Sequence, residues 1–402
     1  MKYNFDEIVD RKNTNSQNVE GWRSYIFKCG PDKKFPYADD EFIRMWIADM
    51  EFAVAPEIRQ AIKDRVDKKI LGYTGVYGSD YYNAFHKWCL DNYGWGFPKE
   101  ELTFSQGIIP ALYQLIEDLV KPYNGKVLTM TPAYSHFLHA CKYNQVELVC
   151  SPLQKKDSGF EIDFDDFDKK ASDPDVKMLM LCNPHNPTGR LWTEAELQHI
   201  AQTCEKHGLW IVSDEIHCDL LRTGLKHIPM GKIMPDYDRL VTCMSASKTF
   251  NLAGLCFSDI IIRNAEERKR FISRDKTRSA INPLSLAAHQ AAYQEGAQWL
   301  SELKAYIDGN LNFVKEFLEV NIPSASFRMP EATYFAWVDF SKTLPGAGDL
   351  SLFFANNAGV LLEGGNSLFV GNAEGYVRLN LAMPKAMVKL GMERIAEAVS
   401  SS

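Results

Sequence analysis

The sequence has little that would direct it to nucleic acid or to a membrane. Its 52 acidic residues outnumber its 45 lysines and arginines, which leaves a net charge of −7. No apolar run reaches the length of about 20 residues that a membrane-spanning helix needs, and the first residues contain no hydrophobic signal segment. We therefore expect no nucleic-acid partner and no membrane association.

Paired cysteine motifs are also absent. The nine cysteines form an odd, scattered set without a C-x-x-C pair, and several lie inside apolar runs. That usage is typical of reduced core residues rather than of disulfides or metal ligands. The sequence thus predicts a cytoplasmic protein without a metal site.

Short apolar runs alternate with helical patterns between about residues 100 and 265. The stretch 193–207 has apolar residues at helical spacing and opens with Thr193 three residues before Glu196, which is a capping-box pattern. Strand-like runs occupy residues 127–130, 146–150, 178–182, 209–213, 240–244 and 259–262. This alternation predicts an α/β fold in which a mostly parallel central sheet is flanked by helices.

The last third of the chain follows a different pattern. Residues 284–320 are almost uninterrupted helix pattern, whereas 333–340 and 376–381 alternate as half-buried strands. Further helical stretches lie near 349–358 and 386–399. These elements predict a smaller α+β domain appended to the α/β domain, as expected for a chain of 402 residues that exceeds one hydrophobic core.

Three of the strand-like runs end in polar residues. The run 178–182 leads into Asn186, 209–213 leads into Asp214 and His217, and 240–244 leads into Ser-Ala-Ser-Lys-Thr-Phe-Asn at 245–251. Because open α/β sheets bind ligands at the carboxyl ends of their strands, we expect these side chains to share one site.

The three groups suit pyridoxal phosphate. Lys248 provides an amine for a Schiff base with the aldehyde, Asp214 a carboxylate for the pyridine nitrogen, and Asn186 an amide for the ring oxygen. Each residue also has a plainer interpretation. Lys248 suits an exposed position on a polar turn, Asp214 a helix N-cap, and Asn186 before proline a simple turn.

Other residues are weaker indications of the same site. Gly107 precedes a helical pattern whose first backbone amides suit a phosphate, although a glycine there is also an ordinary turn residue. Tyr134 suits either stacking on a flat ring or burial in the core. Arg378, inside an apolar strand, suits either a substrate carboxylate or a structural salt bridge.

On these motifs the chain resembles the class I/II aminotransferase superfamily, the fold-type-I pyridoxal phosphate enzymes, over nearly its whole length. Within it, the chain is most similar to the cystathionine β-lyase (C–S lyase) branch of the MalY/PatB type. The marks of that branch lie at residues 45–52, 72–74, 214–217, 247–255, 282–285 and 330–334.

The resemblance implies a role for each matching position. Lys248 and Asp214 would be catalytic, together with Tyr73, which would reach the phosphate of the other subunit. The cofactor would also contact Asn186, Tyr134, His217, Ile108, Ile109, Ser245 and Ser247. Arg378, Ala48 and Asn186 would bind the substrate. By the same resemblance, residues 1–45 form an N-terminal arm with part of the small domain, 46–290 the large pyridoxal-phosphate-binding domain, and 291–402 the small domain.

Two positions depart from the wider superfamily. His217 stands where many aminotransferases have a tyrosine, and Cys256 stands where many have an arginine that binds the phosphate. Phosphate binding would then depend more on amides, hydroxyls and Tyr73. His217 as a ligand of the ring oxygen is an expectation of this comparison.

The function that the resemblance implies is carbon–sulfur β-elimination. An amino acid such as cystathionine, or a related S-substituted cysteine, would be cleaved to a thiol, pyruvate and ammonia by a homodimer with shared active sites. An amino-acid aminotransferase is the alternative, because the named residues serve both reactions up to proton removal from Cα. A regulatory protein-binding role alongside catalysis is a third hypothesis.

Overall fold

The structure, a computed structural model, describes residues 2–156, 159–274 and 281–402. The helices are α1 Gln17–Glu20, α2 Trp22–Ile26, α3 Pro56–Val66, α4 Asp80–Tyr93, α5 Ile108–Leu119, α6 Ser135–Asn144, α7 Phe164–Ala171, α8 Glu194–His207, α9 Met230–Ile233, α10 Ala246–Thr249, α11 Ala265–Arg274, α12 Pro283–Glu295, α13 Ala297–Asn321, α14 Leu350–Asn357, α15 Gly365–Leu368 and α16 Lys385–Ser400. The strands are β1 Ile43–Arg44, β2 Leu102–Ser105, β3 Lys126–Thr131, β4 Ala133–Tyr134, β5 Glu147–Pro152, β6 Gln154–Lys156, β7 Gly159–Glu161, β8 Val176–Cys182, β9 Trp210–Asp214, β10 Leu240–Met244, β11 Ser258–Ile262, β12 Ser326–Phe327, β13 Phe335–Asp339, β14 Val360–Leu361, β15 Glu363–Gly364, β16 Phe369–Val370 and β17 Tyr376–Asn380.

A seven-stranded central sheet forms the middle of the molecule. Its strand order is β2-β11-β10-β9-β8-β3-β5, and all the strands run parallel except β11. The middle strands are apolar and almost wholly buried, as expected for parallel strands with helices on both faces. The predicted α/β fold is confirmed. Asp214, at the end of β9, lies beside Cys182 of β8 and Cys243 of β10.

A second sheet is made by the C-terminal part of the chain. It has four antiparallel strands in the order β12-β13-β17-β15. The predicted strands near 333–340 and 376–381 are β13 and β17, and their pairing sets Trp337 opposite Arg378. Arg378 therefore lies on β17, which is the strand predicted at 376–381.

The long helical pattern at 284–320 is two helices. They are α12 and α13, and Gly296 separates them. A Cβ atom at Gly296 would lie 2.3 Å from the ring of Phe250, so only glycine allows this close approach. The break brings the start of α13 against the segment that follows Lys248.

The N-terminal segment packs over the rest of the molecule. The ring of Phe5 lies 5.1 Å from that of Phe52 and 5.6 Å from that of Trp299, and β1 pairs in parallel with β14. Residues near the N-terminus therefore contact both the early and the late parts of the chain. The domain boundaries at 46 and 291 stay a prediction.

Three further features bear on the sequence analysis. All nine cysteines are free thiols. Across 2–156, 159–274 and 281–402, no helix is long and apolar enough to cross a membrane. The same residues contain no cluster of three or more histidine, cysteine or acidic side chains arranged to hold a metal ion.

Candidate active site

A cavity of about 500 Å³ lies at the carboxyl ends of the central strands, where the C-terminal sheet faces them. Its walls contain ten of the residues predicted for the site, namely Ala48, Ile108, Ile109, Tyr134, Asn186, Asp214, His217, Ser247, Lys248 and Arg378. The fold thus brings together side chains from seven separate parts of the sequence.

Lys248 lies in the short helix α10, directly after β10, so its side chain enters the cavity from the edge of the sheet. Its Nζ donates a hydrogen bond of 2.7 Å to the carbonyl oxygen of Ala48. Burial lowers the pKa of this amine to about 8, although the nearby carboxylates oppose that shift. A lysine with a lowered pKa holds more of the neutral amine that attacks an aldehyde. An exposed lysine on a polar turn is not what the structure contains.

Asp214 ends β9 and is only 8% exposed. One of its oxygens accepts a hydrogen bond from the backbone N–H of Ile216 at 3.2 Å. Turn residues follow Asp214 and the next helix begins at Met230, so Asp214 is not the helix N-cap of its plainer interpretation. Burial raises the pKa of the carboxyl to about 7. Within the described part of the chain, no lysine or arginine forms an ion pair with Asp214. A cationic ring nitrogen at this point of the cavity would supply the missing counter-charge.

Arg378 is 2% exposed and makes a buried ion pair with Glu363 of β15. Its Nη1 donates to the side-chain oxygen of Asn186 at 3.2 Å, and its Nη2 also donates to the carbonyl oxygen of Trp46 at 3.3 Å. The Nε atom is buried and has no hydrogen-bond partner among the residues that the structure describes. Both interpretations of Arg378 therefore stand, because it forms a salt bridge and still has a free donor beside the cavity.

His217 is buried at the cavity wall, with its ring 5.8 Å from that of Phe335. Burial, together with the positive charges of Lys248 and Arg378, lowers its pKa to about 3. The ring is therefore neutral near pH 7. No group in the described part of the chain is hydrogen-bonded to its Nδ1, which leaves this atom able to bond to a group inside the cavity.

The opposite side of the cavity is formed by helix α5 and by Tyr134. Gly107 precedes α5 with a φ of 135°, a left-handed conformation that favours glycine, and the first-turn residues Ile108 and Ile109 line the cavity. The first N–H groups of a helix have no intrahelical acceptor, so they are available to an anion. Tyr134 is half-buried and borders the same space.

Two predicted residues lie elsewhere. The hydroxyl of Ser245 donates to the carbonyl oxygen of Phe257 at 2.8 Å and accepts from the N–H of Ser247 at 3.1 Å, and Ser245 does not line the cavity. Tyr73 is 97% exposed and away from the cavity of its own chain. Their contacts with a phosphate stay predictions.

Sequence reasoning missed Glu363, which lines the cavity and neutralises Arg378. The burial of this carboxyl raises its pKa to about 7. Glu363 follows a short apolar run, but no spacing or motif connects it to Arg378, because the two residues meet only through the pairing of β15 with β17. The one sequence signal for Glu363 was an acidic residue placed directly after a short apolar run.

The cavity fits the cofactor that the resemblance implies. Among the described residues, Asp214 has no ion-pair partner and the Nδ1 atom of neutral His217 has no hydrogen-bond partner, and a helix N-terminus faces the cavity from α5. Those three features match a pyridinium nitrogen, a ring oxygen and a phosphate.

Comparison with known proteins agrees with this geometry. Residues 41–395 match the model of the family "Aminotransferase class I and II". Cystathionine beta-lyase PatB of Bacillus subtilis is 37% identical over 89% of this chain and 92% of its own length. The structure of the PLP-bound C-S lyase from Staphylococcus hominis is 44% identical, with a TM-score of 0.93, and the match covers 99% of this chain and 98% of that one. Cystalysin from Treponema denticola, whose structure contains pyridoxal 5'-phosphate, is 32% identical with a TM-score of 0.90 over the full length of both chains. The chain belongs to the class I and II aminotransferase family.

Proposed function

We propose that this protein is a pyridoxal 5'-phosphate-dependent carbon–sulfur β-lyase that cleaves cystathionine or related S-substituted cysteines to a thiol, pyruvate and ammonia. The observation that carries the proposal is the cavity around Lys248, Asp214 and Asn186 in a chain that is 44% identical to a PLP-bound C-S lyase over 99% of its length. When bound, the cofactor supplies an aldehyde that takes up the substrate amine and a ring that withdraws electrons from Cα.

The cofactor would be held from three sides. Lys248 would carry its aldehyde, Asp214 would keep the ring nitrogen protonated, and Asn186 and His217 would face the ring oxygen. The phosphate would lie at the start of α5 against the amides of Ile108 and Ile109 and against Ser245 and Ser247, with Tyr134 over the ring. These roles rest on the placement of the side chains around one cavity, except that of Ser245, which rests on the resemblance to the family alone.

The amine of Lys248 is the proposed base that removes the proton from Cα of the substrate. Its lowered pKa of about 8 leaves a useful fraction of neutral amine near neutral pH, and the carbonyl of Ala48 fixes its position. Arg378 would bind the substrate carboxylate through donors such as Nε, which is buried without a partner. The sulfur leaves from Cβ as a thiolate and takes up a proton. One water then hydrolyses the remaining unsaturated amino acid to pyruvate and ammonia, so no oxidant or reductant is needed.

We also infer that the working unit is a homodimer in which Tyr73 of the partner subunit completes the site. The support is an exposed apolar stretch in this segment, where Ile70 is 75% exposed, Tyr73 97% and Tyr77 91%. Exposed aromatic and apolar groups of this kind are typical of a surface that a second copy covers. The nine free thiols favour a reducing compartment, and on that ground we place the protein in the cytoplasm.

The decisive experiment separates elimination from transamination. Purified protein with cofactor is given cystathionine, with and without an added 2-oxo acid. We expect pyruvate and thiol to appear at the same rate in both cases, because β-elimination needs no amino-group acceptor. Pyruvate or amino-group transfer that appears only with the acceptor would favour the aminotransferase alternative.

A further inference from the structure

A second cavity, of about 160 Å³, adjoins the active-site cavity. The two cavities share three wall residues, Tyr25, His136 and Glu363. The outer part of the second cavity is lined by Lys28 and His139. Because the same side chains border both cavities, the side cavity lies directly beside the space that a substrate would occupy.

The charges in the side cavity are ordered from inside to outside. Glu363 is 3% exposed and lies at the inner end, whereas Lys28 and His139 are exposed at the mouth. His136 borders both cavities and is half-buried, and burial lowers its pKa, with the charges of His139 and Lys28 adding to the shift. The side cavity therefore offers an acid within, a neutral imidazole in the middle and basic groups outside.

The ion pair with Arg378 makes Glu363 sensitive to a bound substrate. Arg378 is the direct cationic partner of Glu363, and Lys248 is the other cation whose charge acts on it. When a substrate carboxylate binds Arg378, that guanidinium must serve two anions. A buried carboxylate with only part of a counter-charge is unfavourable, so a second cation beside Glu363 would restore the balance.

We infer that the side cavity binds the sulfur-side portion of the substrate and selects thioethers whose leaving thiol carries an ammonium group, held by Glu363, and a carboxylate, held near Lys28 and His139. This inference rests on the proposed lyase function and deepens it. It makes Glu363 and Lys28 residues that determine which thiol is released. A leaving group with an amino-acid terminus, as in cystathionine, matches the order of charges.

Four cysteine thioethers that share a three-carbon chain on sulfur, and differ in the charged groups at its end, test each charge separately. They are cystathionine, S-(3-aminopropyl)cysteine, S-(3-carboxypropyl)cysteine and S-propylcysteine, and the measurement is kcat/KM for pyruvate release. A charged hydrogen bond in a buried site should favour the aminopropyl over the propyl substrate by roughly 10-fold or more. The carboxypropyl substrate brings an anion past Glu363, so its kcat/KM should not exceed that of the propyl substrate. An aminopropyl substrate no better than the propyl one would overturn the inference.

Variants assign the preference to particular residues. In Glu363→Gln, the kcat/KM values of the aminopropyl and propyl substrates should differ by no more than about twofold. Glu374→Gln, at an exposed glutamate, should leave the ratio of these two kcat/KM values unchanged. Lys28→Met should reduce kcat/KM for cystathionine, relative to kcat/KM for the aminopropyl substrate, by roughly 2- to 5-fold. The effect is small because an exposed charge pair is weak. Lys34→Met, an exposed lysine outside the cavity, is its matched control.

These experiments distinguish failure of the proposed lyase function from failure of the side-cavity inference. If none of the four thioethers gives pyruvate without a 2-oxo acid, the lyase function itself is wrong. If all four are cleaved with similar kcat/KM, the lyase function stands and the side cavity does not select the thiol. Because the ratios among substrates are measured on the unmodified enzyme first, a Glu363→Gln variant that fails to fold would not remove the test.

Discussion

The Nζ atom of Lys248 lies 2.7 Å from the carbonyl oxygen of Ala48, which is 200 residues earlier in the sequence. The same carbonyl accepts a hydrogen bond from the hydroxyl of Tyr334 at 3.0 Å. Ala48 lies two residues after Trp46, whose carbonyl oxygen accepts a hydrogen bond from Arg378. The segment around residue 48 therefore positions both the amine and the guanidinium.

We expect Asp214→Asn to lower kcat for cystathionine cleavage by about 10²- to 10⁴-fold, the range typical of a lost acid–base function. The amide keeps the shape of the carboxylate but has no charge to hold a proton on a ring nitrogen. The measurement is steady-state pyruvate release. Asp236→Asn, at an exposed aspartate, is the control, and equal activity in both variants would remove Asp214 from the mechanism.

Arg378→Lys should raise KM by roughly 10- to 100-fold, with a smaller change in kcat. An ammonium cannot reproduce the planar fork that a guanidinium offers to a carboxylate, and the lost interaction is a charge-assisted one. The comparison variant is Arg59→Lys, at an exposed arginine. If KM is unchanged in Arg378→Lys, Arg378 serves only its salt bridge with Glu363.

Sharing of the active site between subunits is tested by mixing two inactive variants, Lys248→Ala and Tyr73→Ala. A mixed dimer with shared sites has one site that carries both defects and one that is intact, so an equal mixture should recover about a quarter of the normal activity. Tyr77→Ala, 91% exposed in the same segment, should stay active by itself. No recovery despite proven subunit exchange would mean that each chain builds its site alone.

A pH prediction concerns a buried carboxyl outside the cavity. Asp259 accepts hydrogen bonds from the hydroxyls of Tyr81 at 2.7 Å and Tyr293 at 2.8 Å, and burial raises its pKa from the ordinary 3.8 to about 7. The folded state therefore holds a proton that the unfolded state releases, so the contribution of Asp259 to stability falls as pH rises from about 4 to about 7.

The measurement is denaturant unfolding of the protein and of Asp259→Asn at several pH values. Relative to the variant, the unmodified protein should lose on the order of 2 kcal/mol of unfolding free energy between pH 5 and pH 7. A difference that is constant across this range, or that grows in favour of the unmodified protein, would contradict the raised pKa.

The sequence predicted the central sheet well because its middle strands are buried on both faces. Such strands are continuous apolar runs, as in β8 and β10, and their polar ends mark the ligand edge. The capping box at Thr193 and Glu196 likewise forms as the local pattern indicated, with both of its hydrogen bonds present at the start of α8. Local chemistry and burial were sufficient for these elements.

Features that depend on long-range pairing were not predictable in the same way. The ion pair between Glu363 and Arg378 arises from strand pairing in the C-terminal sheet, and the separation of α12 from α13 depends on the packing of Gly296 against Phe250. Neither contact has a signature in the surrounding sequence. The engagement of Ser245 with Phe257 is a third case, because a hydroxyl near a binding edge has no local sign of which partner it takes.

The most direct test of the central claim, that the cavity around Lys248 is the cofactor site of this enzyme, is to make the cofactor bond permanent and locate it. The protein is isolated with pyridoxal phosphate, reduced with borohydride, digested and mapped by mass spectrometry. We expect a single pyridoxyl-modified peptide with the modification on Lys248, and no such stable modification in Lys248→Ala. Modification of a different lysine, with Lys248 unlabelled, would contradict the account.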